Sequence, residues 1–72
     1  MKRPSSDGVP VLSDRDRELI GHLAEGRSTS QIAAAMSVTS NTARTRIRRV
    51  QGKLAVTGRG RVVDAARDLG VL

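Results

Sequence analysis

Apolar residues recur along this chain with a helical rhythm, not the alternation of a strand. Leu19, Ile20, Leu23 and Ala24 share one stripe at roughly 100° per residue, which predicts a helix over residues 14–25. Ser13 stands where an N-cap belongs, and Asp16 three positions on completes a capping-box pair. Gly26 stands where a C′ glycine ends a helix. A second helix starts after Ser28, again with a capping partner, Gln31, at N3. It turns Ile32, Ala33 and Met36 inward and breaks at Ser37-Val38, with Val38 as a buried corner residue. Thr39 caps a third helix over residues 40–54, whose inner stripe is Ala43, Ile47, Val50 and Leu54. Val56 packs back on the core, and Thr57-Gly58-Arg59-Gly60 reads as a turn. A fourth helix follows over residues 61–69, with Val62, Ala66 and Leu69 on one stripe and Val63 beside it. The fold class is therefore all-α, with four helices. Helix, short turn, helix, with small alanines at 33–35 to allow close approach, is a central helix-turn-helix. Residues 1–11, with their Pro, Ser and Gly, read as a flexible arm, and 12–72 as the domain.

Composition sharpens this picture in two ways. The chain has no Phe, Tyr, Trp or Cys among its 72 residues. Its core must be built from aliphatic side chains, and neither a disulfide nor a thiolate metal site can form. The charges are also segregated. The formal net charge is +6, yet no Asp or Glu occurs from Gly26 to Val63. That span holds Arg27, Arg44, Arg46, Arg48, Arg49, Lys53, Arg59 and Arg61. A stretch of one sign implies an anionic partner, most often nucleic acid. A membrane surface fits less well, because the basic helix has no Trp or Phe to insert. No apolar run approaches the roughly 20 residues of a membrane span, which points to a cytoplasmic location.

The third helix is where charge and periodicity meet. Asn41, Arg44, Thr45, Arg48 and Arg49 fall opposite its inner stripe, with Thr42, Arg46 and Lys53 along one flank. A helix with cations and short hydrogen-bonding groups outward is suited to the major groove of DNA, and Arg is the commonest reader of guanine. The helix starts differ in a related way. Asp14, Asp16 and Glu18 load the start of the first helix, which suits its dipole, whereas the second and third helices carry no acid near theirs. Their free N–H groups are thereby left open to a phosphate. Nothing points to catalysis: nucleotide-binding and hydrolase motifs are absent, and the lone His22 reads as a boundary residue rather than a metal ligand.

The ordered residues Leu12-Ser13-x-Arg15-Asp16-x-x-Leu19-Ile20, Leu23-Ala24-x-Gly26-x-Ser28-x-x-Gln31-Ile32-Ala33, Val38-Thr39-x-x-Thr42-Ala43-Arg44, Lys53-Leu54-x-Val56-x-x-Arg59 and Val63-x-x-Ala66 resemble the LuxR-type (GerE-like) DNA-binding domain. The resemblance covers 12–72 and implies a double-stranded DNA-binding transcription regulator. It implies Arg44, Thr45 and Arg48 as base-facing residues. Ser28, Thr39, Thr42, Arg46, Arg49, Lys53 and Arg59 become candidates for the DNA backbone. It further implies a homodimer through the fourth helix, which makes Val62, Val63, Ala66 and Leu69 candidates for the seam, although the same stripe also serves to complete the core. No cofactor or metal is implied. Ala43, Thr45 and Arg46 depart from the residues usual in the family, so the operator sequence does not carry over. Two other readings use the same fold: region four of a sigma factor, with RNA polymerase as partner, and a protein-binding adaptor.

Overall fold

The computed structural model describes residues 12–72, and the arm at 1–11 lies outside them. Four helices follow in order: α1 (Asp14–Ala24), α2 (Thr29–Met36), α3 (Ser40–Leu54) and α4 (Arg59–Asp68). The described residues contain no strand. The first three starts are fixed by side chains, as their sequences require. Ser13 Oγ accepts from the Asp16 N–H at 3.1 Å while Asp16 Oδ2 accepts from the Ser13 N–H at 3.0 Å. Ser28 and Gln31 repeat that reciprocal pair at 3.1 and 2.8 Å. Thr39 Oγ1 accepts from the Thr42 N–H at 3.1 Å.

α4 begins two residues earlier than its sequence suggests. Gly58, at φ +102°, is its N-cap and offers no side-chain acceptor. A cap without a polar side chain leaves no sequence signal. Gly60, a turn residue by composition, lies in the first turn, where the N–H groups lack intrahelical partners in any case. The far ends are each one residue shorter than expected. Glu25 and Leu69 are C-caps, and the helices proper close at Ala24 and Asp68.

All four helices end in the same way. The N–H groups of Arg27, Val38, Val56 and Val71 reach back to the carbonyls of His22, Ala33, Gln51 and Ala66. This is the Schellman closure, and it needs one residue in the left-handed region. Gly26 and Gly70 supply it for α1 and α4, both at φ +76°. Ser37 and Ala55 supply it for α2 and α3, at φ 58° and 57°.

The core is wholly aliphatic. Leu19, Ile20 and Leu23 of α1 meet Ile32, Ala33 and Met36 of α2. Ala43, Ile47 and Val50 of α3 and Val62 and Ala66 of α4 close it. Leu12, Val38, Leu54, Val56, Val63 and Val71 pack around its edge, Val38 half-buried rather than fully so. α2 packs chiefly on α3, and α1 chiefly on α4. α3 therefore lies across the domain with its inner stripe held from beneath and its opposite face open.

Candidate nucleic-acid interface

α3 raises its polar face because Ala43, Ile47 and Val50 are buried at its back. Asn41, Arg44, Thr45, Arg48 and Arg49 are all exposed, and Thr42 and Arg46 are half-buried on the flank. Asn41, Thr42, Thr45, Arg46 and Arg49 line an open groove of about 260 Å³ along the helix. Among the described residues, no carboxylate lies in ion-pair range of Arg44, Arg46, Arg48 or Arg49.

The hydrogen bonds decide which groups remain available to a ligand. Arg44 Nη1 donates to Asn41 Oδ1 at 3.0 Å, and Thr45 Oγ1 donates to the Asn41 carbonyl at 3.0 Å. Thr39 Oγ1 donates to Thr42 Oγ1 at 3.0 Å while accepting from the Thr42 N–H. Its proton is thus committed, whereas the Thr42 hydroxyl keeps its own to give. Ser28 Oγ accepts from Gln31 and likewise keeps a free proton. Arg46 Nη1 is buried and has no hydrogen-bond partner within the described residues. An unpaired buried donor is costly.

At the start of α2, Arg59 crosses over from α4. Its Nη2 donates to Thr29 Oγ1, and its Nη1 lies 3.5 Å from the Arg27 carbonyl. Arg59 and Ser28 are thereby brought to one helix start. Arg27 itself is turned back on Glu25, with Nε at 2.9 Å from Oε1.

Lys53 stands differently from the other cations. Its Nζ lies 2.6 Å from Asp16 Oδ2, and Asp16 is only 3% exposed. Burial pushes the Asp16 carboxyl up, but the Lys53 hydrogen bond and charge, with the Ser13 bonds, outweigh it. The carboxyl is held below its ordinary value. Asp16, which the sequence accounts for by capping and the helix dipole, is also the anchor of a strut between α1 and α3. The single ammonium counted toward a DNA backbone contact already has a partner inside the chain.

The α4 stripe needs a correction. Val62 and Ala66 are fully buried in the chain's own core and have no surface to offer a second copy. Val63 is half-buried against that core. Leu69 is exposed at 43%, as is Leu72 at 48%, which the sequence had not singled out. The core thus takes Val62 and Ala66 from the stripe and leaves Leu69 and the edge of Val63 uncovered.

Among the described residues, no group of His, Cys, Asp or Glu could hold a metal, and no helix is long and apolar enough to cross a membrane. His22 stands 3.8 Å from Glu18 within α1.

Comparison with known proteins adds a family to this geometry. The sequence model for bacterial regulatory proteins of the luxR family matches residues 10–66. The spore germination protein GerE of Bacillus subtilis is 31% identical over 72 residues, 100% of this chain and 97% of that protein. The transcriptional regulatory protein MctR of Rhizobium johnstonii is 32% identical over 66 residues, 92% of this chain but 31% of MctR. The crystal structure of the response regulator ChrA, from a heme-sensing two-component system, matches at a TM-score of 0.83 and 31% identity. That match covers 86% of this chain and 31% of ChrA. The structure of the transcription factor GerE matches at 0.79 and 31% identity, over 85% of this chain and 91% of that one. The chain thus spans less than a third of MctR and ChrA and nearly all of GerE. The chain belongs to the luxR family of bacterial regulatory proteins, and its four helices form that family's DNA-binding helix-turn-helix domain.

Proposed function

We propose that this chain binds double-stranded DNA in a sequence-specific way, with α3 in the major groove, and regulates transcription as a homodimer in the cytoplasm. The observation that carries the reading is the outer face of α3. Four arginines on that helix have no carboxylate partner among the described residues, and the helix is held up by Ala43, Ile47 and Val50. Arg44, Thr45 and Arg48 read base edges. Thr42, Arg46 and Arg49 hold phosphates on the flank, where all three line the same open groove. Thr39 shapes that flank through Thr42. Ser28 and Arg59 hold a second phosphate at the start of α2, which carries no acid in its first turn. Lys53 contributes through the strut to Asp16. The dimer seam uses Leu69 and the exposed edge of Val63, with Leu72 beside them.

Selection of bound duplexes from a random pool at physiological salt tests this reading. The expected outcome is an enriched motif with two-fold-related halves. Log affinity should fall with log salt at a slope of about −0.9 per phosphate neutralised. A pool that emerges unenriched, with a flat salt response, would sink it in favour of a protein-binding adaptor.

A further inference from the structure

Asn41 is the hinge pin of the reading face. It sits in the first turn of α3, exposed, with two of the three proposed base readers bonded to it. Its side-chain oxygen accepts a hydrogen bond from Arg44 Nη1, and its backbone oxygen accepts one from the Thr45 hydroxyl, each at 3.0 Å. A guanidinium only donates, so this bond also fixes which way the Asn41 amide points. One of the five Arg44 N–H donors is used. A two-donor edge remains for the O6 and N7 of guanine.

From this we infer that Asn41 is a positioning residue for specificity: its side-chain oxygen holds Arg44 in its guanine-reading pose before DNA arrives. The inference rests on the DNA-binding reading above. A free arginine loses several rotatable bonds on docking, whereas one already fixed loses less. The gain falls on the correct base, because only there is the fixed pose the productive one. Bidentate adenine recognition by Asn41 would draw on the same oxygen, one of whose two lone pairs Arg44 already uses, so adenine reading is the alternative that the test separates.

Wild type, Arg44→Ala, Asn41→Ala and Asn41→Asp are each used to select duplexes from one random pool. Binding to the wild-type motif and to single-base variants is then titrated. Arg44→Ala should erase a guanine preference at one position of each half-site, on the order of tenfold or more. Asn41→Ala should lower the preference at that same position about fivefold. Its binding to unrelated duplexes should stay near wild type, since no charge is lost. Asn41→Asp keeps the acceptor but adds an acid beside the DNA. It should keep the guanine preference while weakening binding to every duplex. Alanine suits an exposed helical position better than asparagine, so folding is not at issue.

The inference is overturned if Asn41→Ala leaves that preference intact, or if Asn41→Asp loses it as alanine does. It is also overturned if the position that relaxes in Asn41→Ala is an adenine different from the Arg44 site. If Arg44→Ala relaxes no position, the assignment of Arg44 fails and this inference with it, while DNA binding stands. If wild type enriches nothing, the DNA-binding reading itself has failed, and the two results cannot be confused.

Discussion

At the leading end of α3, Arg44 and Arg48 stand exposed, and among the described residues they meet no carboxylate. At the trailing end of the same helix, Lys53 lies 2.6 Å from a buried carboxylate on α1. The cations look alike in sequence, and their physical situations are opposite. Charge at the leading end adds little to folding and is available to a ligand. Charge at the trailing end neutralises Asp16, which is 3% exposed and would otherwise be an isolated buried charge. One helix therefore separates reading from support along its length.

The sharpest way to break this comparison is to exchange the two outcomes. Lys53→Met leaves the Asp16 carboxylate buried without its cation. Removing one partner of a fully buried pair costs about 3 to 5 kcal/mol, but Lys53 is exposed, its side chain at 33%, so solvent screens the pair and the cost falls below that range. Urea unfolding should show a loss of about 1 to 2 kcal/mol, a large share of what so small a domain has. Unchanged stability, with a salt slope on DNA shallower by about 1, would show that Lys53 belongs to the phosphate contacts after all.

Arg48→Ala should give the reverse pattern. Stability should stay within about 0.5 kcal/mol, as for an exposed residue without special contacts. Discrimination against the wrong base should fall by about 1 to 3 kcal/mol in competition binding. Equal weakening on motif and unrelated DNA would move Arg48 from the bases to the backbone.

The contrast between the two ends also marks how far the sequence could be read. Local chemistry was legible. Ser13 with Asp16, Ser28 with Gln31, and Thr39 each announce a helix start, because the capping partner lies three residues away. The wheel of α3 sorted its inner stripe from its outer face for the same reason. The Lys53–Asp16 pair is not legible in the sequence because its members lie 37 residues apart, and the cap already accounts for Asp16. The reach of Arg59 to Thr29, 30 residues back, is hidden in the same way. Gly58 gave no signal because it caps α4 without a side chain. The α4 stripe was ambiguous in principle: periodicity marks a face as apolar, and only packing decides what covers it. Asn41 could have been found, since an acceptor three residues before an arginine on an exposed face is a recognisable pair.

Acid offers a finer probe of the strut. The folded Asp16 carboxyl is held below its ordinary value of 3.8, so the unfolded chain takes up its proton first as pH falls. The resulting stability is fully present above pH 3.8. It is lost as pH drops through the lower folded value. Stability measured between pH 5 and about pH 2 should fall along that window in wild type. In Asp16→Asn it should start lower at neutral pH and change less across the window. Parallel curves for the two proteins would show that Asp16 is not the titrating support.

The smallest expected effect lies just past the trailing end. Ala55 holds φ 57° to let the Val56 N–H close on the Gln51 carbonyl at 3.0 Å. Left-handed backbone costs a residue with a Cβ roughly 1 to 2 kcal/mol, and glycine nothing. Glycine's greater freedom in the unfolded chain offsets about 0.5 to 1 kcal/mol of that relief. Ala55→Gly should therefore raise stability by about 0.5 to 1 kcal/mol in urea unfolding. The closures of α1 and α4 already show the arrangement with Gly26 and Gly70 in that place. Since Ala55 lies beyond the reading face, DNA specificity should not change. A gain in stability that brought a loss of base discrimination would show that the trailing end of α3 is coupled to the leading one, and the division along the helix would not hold.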